Sequence, residues 1–363
     1  MTTSRKSASR PRKAAAKTSK PRAGAKPRSV PVDLGLQGGG AHGAFTWGVL
    51  DRLLEEPWLT FDGLSGTSAG AMNAVVMADG LAAGGAEGAR ASLEAFWRRV
   101  SDAGRMSPLR RGPLEILTGS WSLDNSPLFA VMDMATRVFS PYDTNPMGDN
   151  PLRRVLAESV DFARVAKART KVFVTATNVR TGRGHVFRNA DLTPDVLLAS
   201  ACLPTMFQAV EIDGEAYWDG GYSGNPSMAP LVRECQASDT ILVQINPIER
   251  PGTPRSAREI HNRLNEIAFN SVLLKEMRTA AMLRQYAAGA TGEGAIYARM
   301  RVHRIASDVM LDLGYSSKLL AEWPFFEMLR DEGRKAASAF LETHGKDLGV
   351  RSTFDLDTEL EGM

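Results

Sequence analysis

The chain has 363 residues, 43% hydrophobic and 23% charged, which suits one large α/β domain or two smaller ones. Two cysteines, Cys202 and Cys235, exclude a disulfide framework, no Cys/His cluster has zinc spacing, and no apolar run is long enough to span a membrane. The formal net charge of +3 hides an asymmetry: ten of the 44 basic residues lie before residue 30, leaving 34 against 41 acidic residues, a body charge of −7.

Residues 1–29 hold those ten cations, no acidic residue, and no Leu, Ile, Phe or Val. Such a segment cannot bury enough apolar surface to offset its ordering entropy, so a disordered basic tail is expected. It lacks the apolar core of a secretory signal and the apolar face of a mitochondrial presequence, which points to the cytoplasm. A basic tail on an acidic body suits an anionic surface, phospholipid or nucleic acid; a merely solubilising tail is the plain alternative.

Ordered structure is expected from Val30, where an apolar strand (Val30–Leu36) runs into Gln37-Gly38-Gly39-Gly40-Ala41-His42-Gly43 and an amphipathic helix to Leu54. Consecutive backbone N–H groups in such a loop form a concavity for negative charge, either a dinucleotide pyrophosphate or the oxyanion of an acyl transfer. A second strand ends in Gly66-Thr67-Ser68-Ala69-Gly70, which fits G-x-S-x-G. In that pattern a serine sits in a strained strand-to-helix turn with its hydroxyl exposed. A dinucleotide site would use an acid near Asp62 but has no need of a serine elbow there. The two loops together are more informative than either: on adjacent parallel strands they would aim donors and a serine at one spot.

Downstream, residues 87–100 read as a helix, and 101–150 as short helices and loops covering an edge, where a lid or acyl-chain pocket could lie. A helix (151–164), a β-branched strand (171–177), a short edge strand (184–187) and a helix (193–201) follow. A hairpin turning at Asp213-Gly214 leads to Asp219-Gly220-Gly221, an aspartate freed from an apolar strand by two glycines. Its plain alternative is a turn-capping aspartate. Another central strand is expected at 240–245. Two long helices close the chain: Ala257 to about Ala288, with Ile260, Leu264, Ile267, Leu274, Met277 and Met282 near one side, and Ser316–Glu342.

The three stretches Gly38–Gly43, Gly66–Gly70 and Asp219–Gly221 occur in that order, each at a strand-to-turn junction. Together they resemble the patatin-like phospholipase family, marked by a Gly-rich oxyanion loop, a G-x-S-x-G serine and a D-G-[AG] aspartate. Ala199–Pro204 and Asn225-Pro226 are similar to the family's surroundings of the aspartate. The resemblance covers roughly residues 30–250. It implies a central, mostly parallel sheet with helices on both faces. The expected organisation is a tail (1–29), the α/β domain (30–250), C-terminal helices packed on it (251–345) and a terminal tail (346–363).

The function implied is a lipid acyl hydrolase using a Ser-Asp dyad. Ser68 would be the nucleophile and Asp219 the general base. Gly38, Gly39, Gly40 and Ala41 would supply the oxyanion hole, with Gly43, Gly66, Gly70, Gly220 and Gly221 shaping the turns. A lipid ester is the implied substrate, with peripheral contact to an anionic lipid surface through the tail. No cofactor, metal or specific nucleic acid is expected. Position 42 is His where many members carry Arg or Lys, which removes a fixed positive charge from the loop. Two alternatives remain: a Ser-Asp-His triad drawing on His261, His303 or His344, and a nucleotide-binding module using residues 38–43. His261 and His303 fall in or near expected helices and His344 ends one, while His185 belongs to a hairpin edge.

Overall fold

The computed structural model describes residues 1–2, 29–105, 107–286 and 293–356. The expected basic tail therefore lies almost wholly outside the described residues. Among the described residues eight strands form one sheet: β1 (Val30–Leu36), β2 (Leu59–Gly66), β3 (Lys171–Asn178), β4 (Gly184–Arg188), β5 (Val210–Ile212), β6 (Glu215–Asp219), β7 (Asp239–Val243) and β8 (Arg301–Ile305). Their order is β5-β6-β3-β2-β1-β7-β8, with β4 also paired to β3. The five strands from β3 to β8 through the centre are parallel, and β4, β5 and β6 add an antiparallel flank. This is the mixed, centrally parallel sheet expected from the sequence.

Twelve helices are described: α1 (Gly43–Leu53), α2 (Ala69–Gly104), α3 (Pro113–Thr118), α4 (Pro127–Ala135), α5 (Pro141–Thr144), α6 (Leu152–Ser159), α7 (Phe162–Val165), α8 (Pro194–Ser200), α9 (Ala229–Glu234), α10 (Ala257–Tyr286), α11 (Glu293–Arg299) and α12 (Trp323–His344). They cover both faces of the sheet, because side chains alternate along each strand. Val172 and Val174 of β3 and Ile241 and Val243 of β7 join α1, α2, α8 and α12 in one apolar cluster. Phe173 and Leu242 point the other way, into a cluster with α9 and α10. The elbow helix and the helix expected at 87–100 are one element, α2, broken where Gly84 and Gly85 leave helical geometry.

Four expectations need correction. His303, placed by the sequence pattern in or near a helix, is on β8, a parallel strand at the sheet edge. Its five residues show no period-two pattern, since the two apolar ones, Val302 and Ile305, join the clusters on opposite faces of the sheet. The apolar stripe read on α10 is also displaced: Ile260, Leu264, Ile267 and Met282 are exposed, while Phe269, Leu273, Met277 and Ala281 are buried. Polar Glu266 and Asn270 occupy that buried face, so hydropathy periodicity misplaces it. The last long helix begins at Trp323, after a short 3-10 turn at Ser316–Leu319. Residues 346–356, expected as a tail, pack against β8: Leu348 and Leu356 are buried, and Thr353 and Phe354 donate backbone N–H to Val302 O.

Candidate active site

Because β1 and β2 are parallel neighbours, their C-terminal turns open side by side. The turn after β2 is tight. A Cβ on Gly70 would stand 2.2 Å from Leu36 O, so only glycine lets α2 start against the end of β1. Ser68 has φ 53°, ψ −124°, a strained conformation for a residue with a side chain. Its backbone is over-determined by neighbours: Ser68 N–H donates to Ser200 Oγ (2.9 Å), Ser200 Oγ donates to Thr175 O (2.7 Å), and Thr67 Oγ1 donates to Gly224 O (2.6 Å). Although Ser68 is the N-cap of α2, its hydroxyl does not cap the helix. It is turned instead toward Asp219.

Asp219 ends β6, which pairs antiparallel with β3 beside β2. Its backbone is pinned by Asp219 N–H to Cys202 O (2.8 Å) and by Thr177 Oγ1 donating to Asp219 O (2.8 Å). The carboxylate is 1% exposed and accepts Gly221 N–H at 2.7 Å. Burial pushes its pKa up from 3.8 to about 7, against the opposing pull of Gly221 N–H, the Ser68 hydroxyl and the Lys318 charge. A carboxylate of ordinary acidity is a poor base for a hydroxyl; one held near neutrality is much better matched.

Residues 38–43 form the second wall. Gly38 N–H is already committed to Asn225 Oδ1 at 2.6 Å, so Gly38 is not a free donor as expected. Gly40 and Ala41 open the short 3-10 turn Gly40–His42, where N–H groups have no intrahelical partner. With Gly39 they line the cavity that contains Ser68 and Asp219. Gly40 has φ +58°, and a Cβ there would meet Lys318 O at 2.4 Å, so the loop fits closely under the segment before α12. His42 points away from the serine: it is buried, its Nε2 lies 2.8 Å from Ser317 Oγ, and burial beside Lys318 pushes its pKa well down, so it is neutral.

The remaining histidines are dispersed. His185 packs on Phe187 and Tyr217, His261 on Tyr315, and His344 Nδ1 lies 3.3 Å from Asp347. His303 lies between Asp239 and Thr353. Asp62 sits midway along β2 and accepts backbone N–H from Gln236 and Ala237, away from the mouth of the Gly-rich loop.

The cavity has a volume of about 340 Å³. Met72, Phe96, Trp97, Leu152, Met206 and Phe326 make most of its wall apolar, and Ser68, Asp219, Asn265 and Lys318 are among its polar lining. Three further residues complete the site, and of these the sequence singled out only Asn225, as part of Asn225-Pro226. Asn246 follows β7 and donates Nδ2–H to Gly38 O (2.8 Å); Asn225 holds Gly38 N–H; Lys318 reaches in from beyond residue 300. A polar pair directly after an apolar strand was the available signal for Asn246. Nothing local marked Lys318.

A family model described as patatin-like phospholipase matches residues 34–232. A cGAMP-activated phospholipase of Pseudomonas aeruginosa (strain BWHPSA011 / Pa011) is 31% identical over 206 residues, covering 53% of this chain and 53% of that protein. The match thus spans about half the length of that curated relative. Among solved structures, VipD from Legionella pneumophila aligns over 88% of this chain and 67% of its own, with TM-score 0.38 and 14% identity.

Proposed function

The chain belongs to the patatin-like phospholipase family, and from that membership we propose that it hydrolyses carboxylic esters of lipids through a Ser68–Asp219 dyad and an acyl-enzyme. The observation that carries the reading is the meeting of a strained, buried Ser68 with a carboxylate held near neutral acidity, both lining one mostly apolar cavity.

In the reaction, Ser68 Oγ attacks the ester carbonyl while its proton passes to Asp219. The carbonyl oxygen becomes an oxyanion facing the N–H groups of Gly39, Gly40 and Ala41, near the N-terminus of α2. As the tetrahedral intermediate collapses, the bond to the leaving alkoxide breaks and Asp219 returns the proton to it. Water then adds to the acyl-enzyme by the same route, with Asp219 taking a proton from water and giving it to Ser68 Oγ as the fatty acid leaves. The apolar wall accommodates the acyl chain, each buried methylene contributing about 0.8 kcal/mol. His261, His303 and His344 make their contacts elsewhere, so no observation favours a triad. The substrate surface is a lipid aggregate, which the ten cations of residues 1–29 would attract when it is anionic.

The test is a fluorophosphonate probe followed by peptide mass spectrometry on the full chain. The adduct is expected on Ser68, and Ser68→Ala is expected to retain below about one per cent of ester hydrolysis. An adduct on Ser65 or Ser223 instead would overturn the assignment.

A further inference from the structure

We infer that Lys318 is the fixed cation of this site, a positioning residue that holds the Gly38–Ala41 loop against Ser68 and stabilises the negative charge exchanged between the ester oxygen and Asp219. The inference deepens the proposed dyad and rests on it. Lys318 lies in the short turn before α12, far outside residues 34–232 that match the family.

The first support is mechanical. Lys318 Nζ donates to Asn246 Oδ1 (2.9 Å) and Asn265 Oδ1 (3.0 Å), and Asn246 Nδ2 in turn donates to Gly38 O (2.8 Å). The backbone of Lys318 closes on Gly40 so tightly that a Cβ there would collide with Lys318 O. The adjacent Ser317 bonds His42, the loop's own side chain. One short segment thus grips the loop at three of its residues.

The second support is electrostatic. Lys318 lines the same cavity as Ser68 and Asp219, and both of its side-chain acceptors are neutral amides. An ammonium has three donors, so one is left without a protein acceptor among the described residues. The nearby carboxylate Glu266 is already taken up by Arg250 and Arg263. The other titratable groups acting on Asp219 are neutral at pH 7: Cys202 and Tyr222 are pushed up to about 12, and Tyr315 upward, all mainly by burial. His42 is neutral as well. Lys318 is therefore the cation whose charge reaches Asp219, and it occupies the role that the uncharged residue 42 leaves open. In a cavity with apolar walls such a charge acts with little screening.

Burial lowers the Lys318 pKa from 10.5 to about 8, while an arginine in its place would stay charged. That difference supplies a readout that a merely structural lysine would not move. Turnover of a soluble neutral ester is measured against pH for the full chain, Lys318→Met and Lys318→Arg, with fluorophosphonate labelling rates in parallel. The parent is expected to lose rate above about pH 8. Lys318→Arg should keep at least about a tenth of peak kcat and lose this alkaline limb. Lys318→Met, close in volume, should lose about 100-fold in kcat with KM within about threefold, and its acidic limb should move to higher pH. If Lys318→Met does not fold, as read by its melting transition, the alkaline limb in Lys318→Arg decides alone. An unchanged alkaline limb in Lys318→Arg, or parental kcat in Lys318→Met, overturns the inference. So does a loss that appears only when anionic phospholipid vesicles replace the soluble ester, which would make Lys318 a head-group contact. Labelling separates the two levels: a parent labelled away from Ser68 refutes the dyad itself, whereas parental labelling of Ser68 in Lys318→Met refutes only the role of Lys318.

Discussion

Asp219 carries opposite demands at the scale of single residues. Burial raises its pKa to about 7, so it is ionised, and fit for the proposed role of base, only as pH rises through that value. The acidic limb of kcat/KM is accordingly expected near pH 7, and a limb near 4 would show the base to be an ordinary exposed carboxylate. The linkage to stability has the other sign. A carboxyl whose folded pKa exceeds its unfolded value contributes stability that is present below pH 3.8 and lost as pH rises through about 7. Asp219→Asn should therefore abolish turnover by several orders of magnitude, comparable to Ser68→Ala, while melting at a higher temperature than the parent at pH 8. His261→Ala and His344→Ala should keep turnover within about threefold, since their contacts are with Tyr315 and Asp347 and not with Ser68 or Asp219. A collapse of activity in either, with folding intact, would bring the triad back.

Among the elements, α3, α4 and α5 stand apart from the rest. Their segment exposes Ile116 (60%), Leu117 (85%), Val131 (65%), Met134 (69%), Val138 (71%) and Phe139 (55%), and α4 buries none of its side chains. The two ends of the same stretch, Ser107 and Leu109 on one side and Asn150, Pro151 and Leu152 on the other, line the cavity holding Ser68. If the proposed substrate is presented as a lipid aggregate, this exposed apolar segment is the part of the molecule suited to meet it. Leu117→Asp and Val138→Asp should lower hydrolysis of vesicle lipid about tenfold and leave a soluble short-chain ester within about twofold. Equal losses on both substrates would make the segment a structural cover instead. Deleting residues 1–29 is expected to act through charge: no change on the soluble ester, and weaker binding to anionic vesicles at low salt that fades as salt rises.

For the molecule as a whole, the parallel sheet is extended at one edge by residues from its far C-terminal part. Asp239, at the start of β7, accepts from Arg301 Nε (3.0 Å) and Nη2 (2.7 Å) on β8 and from Gly349 N–H (2.9 Å), with His303 Nε2 at 3.0 Å. Burial alone would raise its pKa; the bonds from His303, Arg301 and Gly349 prevail and hold it at about 2. That contribution is present above pH 3.8 and is lost as pH falls toward 2. Asp239→Asn should cost about 3 kcal/mol in urea unfolding at pH 7, because it strips a buried carboxylate from an arginine and strands the donors around it. A cost that did not shrink as the pH was lowered from 5 to 3 would mean that packing, and not ionisation, sets the value.

The sequence by itself determined the three turns and their order. A strand-to-helix reversal at Gly66–Gly70, a Gly-rich loop at Gly38–Gly43 and an aspartate released by Gly220 and Gly221 are encoded by contiguous residues, because steric limits on a sharp turn act within a few bonds. The central strands were legible for the same local reason, alternation and β-branching within short runs. What only the tertiary structure decided depends on residues that meet across hundreds of positions. The Gly38 N–H is taken up by Asn225, the loop is anchored by Asn246, a cation arrives at residue 318, and His303 is carried onto an edge strand beside Asp239. The acidity of Asp219 belongs there too, since desolvation and charge are summed over every group around a buried atom, and that neighbourhood exists only once the sheet has closed.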